Sequence, residues 1–531
     1  MGTYLNFGNK GFEQSLQSEI YVDKTDMIEF VNRRLDTEQR CLCVSRPRRF
    51  GKSMTAKMLA AYYCKGCDSS RLFEGLAISQ TGSYREHLNR YNVIHVDINS
   101  FLLCAREAGG VERFTEMFQI KVIGELEEAY PDVLEKGCKS LSFALADIYK
   151  RTGEQFIIII DEWDAPFREV KGNTKVQNQY IDMLRGLFKS MEAGGFLKLA
   201  YLTGILPIKK YNTQSAMNNF EEFSMLHPAR LAEYMGFTQK EVMELCSKYG
   251  MDFEEAKKWY DGYSFSQAEH MYNPNSVVKA MLTGEFDTFW TRTESFESLR
   301  GYISMNFDGL QDAVVQMLAG NRCHVDTLYF SNDMETFHDK DDVLTLLIHL
   351  GYLAYDQRRS EAYIPNEEIK AEFQGAIKRT GWSTVIKAVQ LSDQLLRDTW
   401  EGNEDAVAMG VELVHMQNTS ILKYNDENSL SCVVTLAYYN AMNEYTVVRE
   451  LPSGRGFADM VFIPKQFSDK PAMVVELKCD ETAEGAIAQI MEKKYIKALS
   501  AYQGEALLVG ISYNRETKEH KCRIERTSVN G

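Results

Sequence analysis

Short apolar runs alternate with amphipathic stretches through the first 225 residues of the chain. Four of these runs are almost wholly apolar and are bounded by polar residues, which is typical of strands buried on both faces of a sheet. Helical periodicity follows or separates the runs. The pattern therefore predicts a first α/β domain over 1–225, with a parallel sheet covered by helices on both faces. The four predicted strands are RCLCVS (40–45), NVIHVDI (92–98), FIIIID (156–161) and LKLAYLTGI (197–205).

The pattern changes twice further along the chain. Helical periodicity dominates from 226 to 370, as in FTQKEVMELCSKYG and DDVLTLLIHLGYLAY, and predicts a helical middle domain. From 371 to 531 a helical run, NSLSCVVTLAYYNAMNEY, precedes three strand-like runs. A helix and a further strand come next. This order predicts a separate mixed α/β domain, built from TVVREL, FADMVFIP, AMVVELK, AIAQIMEKKYIKALSAY and EALLVGISY.

Composition narrows the classes of function. The 531-residue chain is 44% hydrophobic and 25% charged, as in ordinary globular proteins, and its net charge is −15. A chain this acidic is not a general polyanion binder, so contact with nucleic acid requires a local basic groove. We expect no membrane association, because no apolar run is long enough to span a bilayer. Eleven cysteines and an N-terminus unlike a secretory signal favour reduced thiols in a cytoplasm.

The segment SRPRRFGKSMTAK, 45–57, ends like a phosphate-binding loop. Gly51, Lys52 and Ser53 follow an apolar strand and open a predicted helix, which is the context that such a loop requires. Lys52 would reach the β- and γ-phosphates, and Ser53 would bind Mg²⁺. Backbone N–H groups at the helix start would surround the anion, and Gly51 would allow close approach.

The opening half of this loop departs from the usual pattern. Arg46 stands where glycine is usual, and Pro47 removes an N–H group and disfavours helical backbone at Arg46. We expect the chain to enter the loop by a different path and to keep its closing half. The alternative is a basic surface turn. The predicted nucleotide-binding residues here are Arg46, Pro47, Arg48, Arg49, Phe50, Gly51, Lys52, Ser53 and Met54.

Two further strand ends favour the nucleotide site over a surface turn. The strand FIIIID ends in Asp161 and is followed by Glu162, which is the Walker B arrangement. Asp161 would organise Mg²⁺, and Glu162 would polarise the attacking water. Thr203, at the tip of the next strand, stands where a sensor of the γ-phosphate would be. The expected cofactors are ATP and Mg²⁺.

A second group of polar residues lies in GRGFADMVFIPKQFSDKPAMVVELK. Glu476 and Lys478 are two apart in a strand and share one face, and a neighbouring strand can bring Asp459 beside them. Two carboxylates would bind Mg²⁺ or Mn²⁺, and a lysine would stabilise developing charge, as in metal-assisted phosphodiester hydrolysis. The alternative is an exposed hairpin whose strands end in charged residues.

Other polar residues near Asp459, Glu476 and Lys478 in the sequence are candidates for the same metal site or for substrate binding. Glu427 is a further candidate metal ligand, although a helix dipole alone would favour an acidic residue there. Glu450, Gln489 and Tyr495 are candidate substrate-binding residues. A solvated helix face is an equally good interpretation of Gln489 and Tyr495.

These motifs resemble a known family. RPRRFGKS, YVDKT, IIIIDEWDAP, LTGI and WYDGYSF together resemble the AAA-ATPase-like family of bacterial proteins, whose loop also has arginine in place of glycine. The resemblance implies that Tyr21 lies near the nucleotide. Family members typically carry a C-terminal nuclease-like domain, and the last part of this chain resembles the PD-(D/E)xK nuclease superfamily. Asp459, Glu476 and Lys478 match its motif, with Ala458 where proline is usual.

The motifs and the resemblance together predict three domains. They are a P-loop NTPase domain with a parallel sheet (1–225), a helical lid or middle domain (226–370) and a restriction-endonuclease-like mixed α/β domain (371–531). The first hypothesis is an enzyme in which ATP controls Mg²⁺-dependent cleavage of DNA or RNA. The second is an ATP-switched module that binds nucleic acid or protein without cutting. A homo-oligomer is a further expectation.

Overall fold

The structure of this protein is a computed structural model. It describes residues 2–529 except 135–136, 209–216, 235, 291–294, 306, 319, 331–335, 381–382, 419–432, 436, 439–440, 454–455, 466–467, 469, 494–498 and 500–503. Only the backbone is described at 295–298, 312, 378–380, 383–390, 393, 417–418, 442–443, 449–453 and 456–458. The chain forms two compact units, the first made of Met1–Tyr302 and Arg322–Glu372 and the second of Ile303–Asn321 and Phe373–Gly531. Across the described ranges, none of the helices combines the length and the apolar character that crossing a bilayer requires.

A five-stranded parallel sheet forms the centre of the first 225 residues, in the order β2-β3-β4-β1-β5. The four predicted strands are confirmed. The fifth was not predicted, because its three residues, EEF, carry no apolar run. The strands are β1 (Cys41–Ser45), β2 (Asn92–Asp97), β3 (Phe156–Asp161), β4 (Leu197–Gly204) and β5 (Glu221–Phe223).

Helices cover both faces of this sheet, and the central strand shows why its sequence is apolar throughout. Ile158 and Ile160 of β3 belong to one hydrophobic core, whereas Ile157 and Ile159 belong to the core on the opposite face. A strand with two buried faces cannot alternate apolar and polar residues. The helices are α1 (Lys10–Leu16), α2 (Met27–Asn32), α3 (Lys52–Tyr63), α4 (Ser70–Phe73), α5 (Tyr84–His87), α6 (Ile98–Glu107), α7 (Phe114–Ala129), α8 (Leu141–Thr152), α9 (Ala165–Glu169), α10 (Thr174–Phe188) and α11 (Ala193–Phe196), with 3₁₀ turns at Ala77–Gln80 and Val111–Arg113.

The segment that follows is mainly helical, as predicted, but it also contains two small antiparallel sheets with the strand orders β6-β8-β7 and β10-β11-β9. Most of this segment belongs to the first compact unit. The boundary at 225/226 therefore stays a prediction. Its elements are a 3₁₀ turn (Ala229–Tyr234), β6 (Phe237–Thr238), α12 (Gln239–Tyr249), α13 (Phe253–Tyr260), β7 (Tyr263–Phe265), β8 (Ala268–Tyr272), α14 (Pro274–Thr283), α15 (Ser295–Ile303), α16 (Leu310–Leu318), β9 (Cys323–His324), α17 (Lys340–Leu350), β10 (Ala354–Asp356), β11 (Glu361–Tyr363) and α18 (Glu367–Thr380).

The second unit contains a mixed five-stranded sheet in the order β12-β13-β14-β15-β16. Among these strands only β14 (Ala472–Cys479) and β15 (Gly504–Tyr513) are parallel, and the helix Ala483–Lys493 connects them, as a parallel crossover requires. The strand β16 was not predicted, because its residues alternate with many charges. The predicted helical run 428–445 lies largely outside the described residues. The elements are α19 (Ser383–Glu401), α20 (Glu404–Asn418), α21 (Ala441–Glu444), β12 (Tyr445–Ser453), β13 (Gly456–Pro464), β14 (Ala472–Cys479), α22 (Ala483–Lys493), β15 (Gly504–Tyr513) and β16 (His520–Val529).

Candidate functional sites

The loop between β1 and α3 has an unusual backbone. Arg49 and Gly51 both lie in the left-handed region, with φ of 72° and 86°. A Cβ atom added at Gly51 would meet no other atom within 4 Å. Glycine at this position is therefore favoured by the backbone conformation rather than by crowding. Helix α3 begins directly after it, at Lys52, so the first N–H groups of the helix face the loop.

Lys52, Ser53 and Asp161 come together where α3 begins and β3 ends. The Lys52 ammonium is buried and donates a hydrogen bond to the Pro47 carbonyl oxygen over 2.8 Å. Burial lowers the pKa of Lys52, and the nearby carboxylates of Glu162 and Asp161 oppose that shift. Burial raises the pKa of Asp161, whereas a hydrogen bond with the Ser53 side chain lowers it. The residues predicted to hold Mg²⁺ in this unit are therefore adjacent.

The opening half of the loop packs into the protein. Arg46 is completely buried, and its Nη1 donates to the carbonyl oxygens of Ser45 and Phe223 over 2.8 and 2.9 Å. Burial lowers the pKa of Arg46 to about 10. Pro47 lies against Gly351, where an added Cβ would be 2.6 Å from the proline Cγ. The structure thus places Arg46 and Pro47 in packing positions.

Arg49 and Phe50 link the loop to the segment that follows residue 225. The Arg49 Nη1 donates to the Phe289 carbonyl oxygen over 2.6 Å. The Phe50 ring contacts the Tyr263 ring edge-on, with the ring centroids 5.3 Å apart. Arg48 is exposed, and together with Arg49 it contributes positive charge at the cavity described next.

A cavity of about 800 Å³ opens beside the loop. Residues 48–55, from the loop and the first turn of α3, form one part of its wall, including Met54. Other parts come from the N-terminal segment, from α6, from residues at the end of β3 and in α9, and from residues after 225, and much of the wall is apolar. Tyr21 lines this cavity, and its proximity to a nucleotide stays a prediction. Other lining residues include Phe12, Ile20, Val22, Met58, Phe237, Pro274, Asn275 and Val278.

Glu162 lies on the cavity wall directly after β3. Its backbone is left-handed, with φ of 52°. Its carboxylate forms an ion pair with the Arg168 guanidinium, which also lines the cavity. Burial raises the pKa of Glu162, and the positive charges of Lys52 and Arg168 oppose that shift. Sequence reasoning did not single out Arg168, although its position six residues after Glu162, on the following helix, is visible in the sequence.

The residues behind Glu162 connect the ends of β3 and β4. The Asp164 Oδ2 accepts hydrogen bonds from the N–H groups of Ile205 and Leu206 over 3.1 and 2.9 Å. A Cβ added at Gly204 would lie 2.4 Å from the Asp164 Oδ1, so this position requires glycine. The Thr203 hydroxyl is buried and donates to the Val44 carbonyl oxygen over 2.9 Å. The hydroxyl of Thr203, the predicted γ-phosphate sensor, therefore donates its hydrogen bond to a neighbouring strand of the sheet.

A second group of polar residues assembles in the other unit, where β13 lies beside β14. The Asp459 Oδ2 accepts a hydrogen bond from the Leu477 N–H over 2.8 Å. The Lys478 Nζ is 3.8 Å from the Glu476 Oε1. The side-chain amide of Gln489 on α22 donates to the same Glu476 oxygen. The structure thus brings Asp459, Glu476, Lys478 and Gln489 together.

Three predicted residues of this second group are not placed by the structure. Glu427 and Tyr495 lie outside the described residues. Glu450 belongs to β12, but its side chain is outside the description. Their proposed contributions stay predictions.

Two family models match separate parts of the chain. Residues 7–213 match the family described as predicted AAA-ATPase, and residues 425–522 match the PD-(D/E)XK nuclease superfamily. The chain carries a domain of each kind. The resemblance stated from the motifs is thereby confirmed, and each group of candidate residues lies inside the corresponding domain.

Individual relatives add little about activity. An "uncharacterized protein in vnfD 5'region" of Azotobacter chroococcum mcd 1 is 23% identical over 506 residues, which cover 90% of each chain. A structure of the replication initiator DnaA bound to AMPPCP and single-stranded DNA has 12% identity and a TM-score of 0.26, covering 73% of this chain and 92% of that one. The Aeropyrum pernix ORC2 protein has 11% identity and a TM-score of 0.29, covering 70% and 98%.

The oxygen-rich composition of both sites fits a hard divalent cation. In the AAA-ATPase domain, the Ser53 hydroxyl and the Asp161 carboxylate already share a hydrogen bond, so both can face one ion. In the nuclease superfamily domain, Asp459 and Glu476 supply carboxylates. Carboxylate, hydroxyl and water oxygens are the ligands that Mg²⁺ prefers. These residues are therefore suited to Mg²⁺.

Proposed function

We propose that this protein is a Mg²⁺-dependent ATPase whose C-terminal domain cleaves phosphodiester bonds in DNA or RNA under the control of ATP. The observation that supports the proposal is that one chain brings together two groups of residues of the types that these two reactions use. One is the cavity with Lys52, Ser53 and Glu162, and the other is the cluster of Asp459, Glu476 and Lys478.

At the first site, each part of the cavity suits a part of ATP. The N–H groups that open α3 and the Lys52 ammonium would bind the phosphates, with Arg48 and Arg49 adding positive charge. The apolar wall with Tyr21 and Phe237 would hold the base. Glu162 would orient and polarise the water that attacks the γ-phosphate. Bound Mg²⁺ would neutralise phosphate charge.

At the second site, Asp459 and Glu476 would hold Mg²⁺ or Mn²⁺, which activates water for attack on phosphorus. Lys478 would stabilise the additional negative charge of the transition state. Gln489 would keep the Glu476 carboxylate oriented through its amide. A homo-oligomer and a cytoplasmic location complete the proposal.

The test is a cleavage assay on single- and double-stranded DNA and RNA, with Mg²⁺ or Mn²⁺ and with or without ATP. Lys478→Ala should reduce cleavage by about 100-fold or more while nucleic-acid binding persists. Lys52→Ala should weaken ATP binding by about tenfold or more and remove the effect of ATP on cleavage. Lys258→Ala is the control, because this lysine pairs with Glu255 on α13 and lies outside both sites.

Two results would contradict the proposal. Cleavage that persists in Lys478→Ala would assign the activity to other residues or to a contaminant. ATP turnover without cleavage of any substrate would instead support the second hypothesis, an ATP-switched module that binds nucleic acid or protein without cutting it.

A further inference from the structure

Arg168 occupies a position in the nucleotide cavity that the proposed ATPase activity does not yet use. It lies on α9, and only 5% of its side chain is exposed. It nevertheless lines the same cavity as Lys52, Ser53 and Glu162. A buried arginine on the wall of a phosphate site can either hold its neighbours in place or respond to the phosphate.

The guanidinium of Arg168 is surrounded by carboxylates. Its Nη2 forms the ion pair with Glu162, and its Nε donates to the Asp164 Oδ2 over 3.1 Å. Its Nη1 is 3.9 Å from the Glu169 Oε1. Because arginine carries several N–H donors in a rigid planar group, one edge can stay bound while another changes partner.

The two carboxylates differ in how firmly they are held. Asp164 is completely buried, and two backbone N–H groups fix it in addition to Arg168. The Glu162 carboxylate lies at the cavity wall, and 19% of its side chain is exposed. Asp164 is therefore suited to anchor the guanidinium, whereas the bond to Glu162 is open to competition from an anion in the cavity.

The pair also conflicts with the function proposed for Glu162. A carboxylate that polarises water needs a free oxygen directed at that water. In this structure Arg168 holds one Glu162 oxygen. A γ-phosphate entering beside Lys52 would bring a stronger and more highly charged acceptor to the same guanidinium.

We propose that Arg168 is a positioning residue that detects the γ-phosphate. With the cavity empty or holding a diphosphate, its Nη2 restrains Glu162. With a triphosphate, the Nη2 edge turns to the γ-phosphate while the Nε stays on Asp164, and Glu162 is released to the attacking water. The inference rests on the proposed function of this site as an ATPase.

The test compares the binding of Mg²⁺-AMPPNP and Mg²⁺-ADP by fluorescence or calorimetry. In Arg168→Gln, affinity for AMPPNP should fall by about tenfold or more, while affinity for ADP changes by less than about twofold. Arg168→Lys, which keeps the charge but not the planar group, should lose part of the preference for AMPPNP over ADP. Arg33→Gln is the matched control, because Arg33 is exposed directly after α2 and pairs with Glu29 four residues earlier.

A double-mutant cycle separates this role from a structural one. Glu162→Gln weakens the ion pair, so in the wild-type background it should increase AMPPNP affinity. In the Arg168→Gln background the increase should be smaller, because only the lost repulsion between the Glu162 carboxylate and the phosphate then contributes.

Three results would overturn the inference. AMPPNP and ADP affinity could fall in parallel in both Arg168 variants, which would make Arg168 purely structural. The Glu162→Gln effect could be the same in both backgrounds. Wild-type protein could bind neither nucleotide, and this outcome would overturn the proposed ATPase itself together with the inference.

Discussion

Glu368 on α18 shows how a single buried residue supports the loop between β1 and α3. Only 1% of it is exposed, and its Oε1 accepts hydrogen bonds from the Ser276 hydroxyl over 2.9 Å and the Phe289 N–H over 2.7 Å. The Phe289 carbonyl in turn accepts from Arg49 of the loop. Burial raises the pKa of Glu368 to about 7, because desolvation exceeds the effect of these hydrogen bonds. The carboxyl therefore titrates in the physiological range.

The raised pKa predicts a pH-dependent stability. Between the ordinary value of 4.5 and about 7, unfolding of the first unit releases a proton that the folded state retains. The stabilisation that the protonated Glu368 contributes is fully present below about pH 4.5 and declines as the pH rises to about 7. Above about pH 7 this group causes no further change in the free energy of unfolding. Glu368→Gln keeps the accepting oxygen but cannot ionise. It should therefore be more stable than wild type at about pH 8, by roughly 1–3 kcal/mol, and similar at about pH 4.5.

Chemical unfolding at the two pH values measures this difference. Glu367→Gln is the control, because Glu367 is a partly exposed neighbour that pairs with Lys370. A stability difference between wild type and Glu368→Gln that does not change with pH would contradict the prediction.

At the scale of elements, the C-terminal ends of α14 and α17 differ in what they contact. The glycine after α17 packs against the loop between β1 and α3, whereas the glycine after α14 only ends its own helix. Both helices end in a left-handed glycine, Gly284 with φ of 72° and Gly351 with φ of 85°. An added Cβ at Gly284 would meet nothing within 4 Å. At Gly351 it would collide with the Pro47 ring, and the Gly351 carbonyl accepts a hydrogen bond from the Tyr263 hydroxyl.

Alanine at these two positions should have different effects. Gly284→Ala should reduce the free energy of unfolding by about 1 kcal/mol, as is usual for alanine in a left-handed conformation, and should leave ATP binding unchanged. Gly351→Ala should cost more, because Pro47 must also move, and it should weaken ATP binding by displacing the loop. Thermal unfolding and nucleotide titration of both variants measure this. Equal losses of stability and equal ATP affinity would show that the Pro47 contact does not position the loop.

At the scale of the whole molecule, the chain has separate hydrophobic cores in its two units. The cores on the two faces of the parallel sheet belong to the first unit. The second unit has its own core, which includes Val461, Val474 and Leu508. Units with separate cores can unfold as separate cooperative transitions.

Calorimetry should therefore resolve two transitions. Mg²⁺-ATP at about 100 times its Kd should stabilise one of them by about 2.7 kcal/mol, and Lys52→Ala should remove that shift. Val474→Ala opens a cavity in the core of the second unit. It should reduce the free energy of unfolding in the other transition by about 1–3 kcal/mol. A single transition that responds to both changes would contradict independent unfolding.

Local pattern predicted the strands that are apolar throughout and the helices with clear periodicity. It missed β5, β16 and the short strands β6 to β11 of the middle segment, because the pairing of a short or charge-rich strand depends on neighbours that are distant in sequence. In the candidate sites, Lys52, Ser53, Asp161 and Glu162 were recognisable from their order along the chain. The partners of these residues could not be predicted in the same way, because tertiary packing selects them.

The sequence by itself determined the order of the apolar strands and periodic helices, the glycine that a left-handed turn favours and the residue types that suit phosphate and metal chemistry. These features depend on residues close together in the chain. Only the tertiary structure decided that Arg46 is buried among carbonyl groups, that the Thr203 hydroxyl donates to the Val44 carbonyl oxygen and that Arg168 binds Glu162. The direction of a long or polar side chain depends on which partners the fold brings within hydrogen-bond distance, and no local pattern encodes that distance.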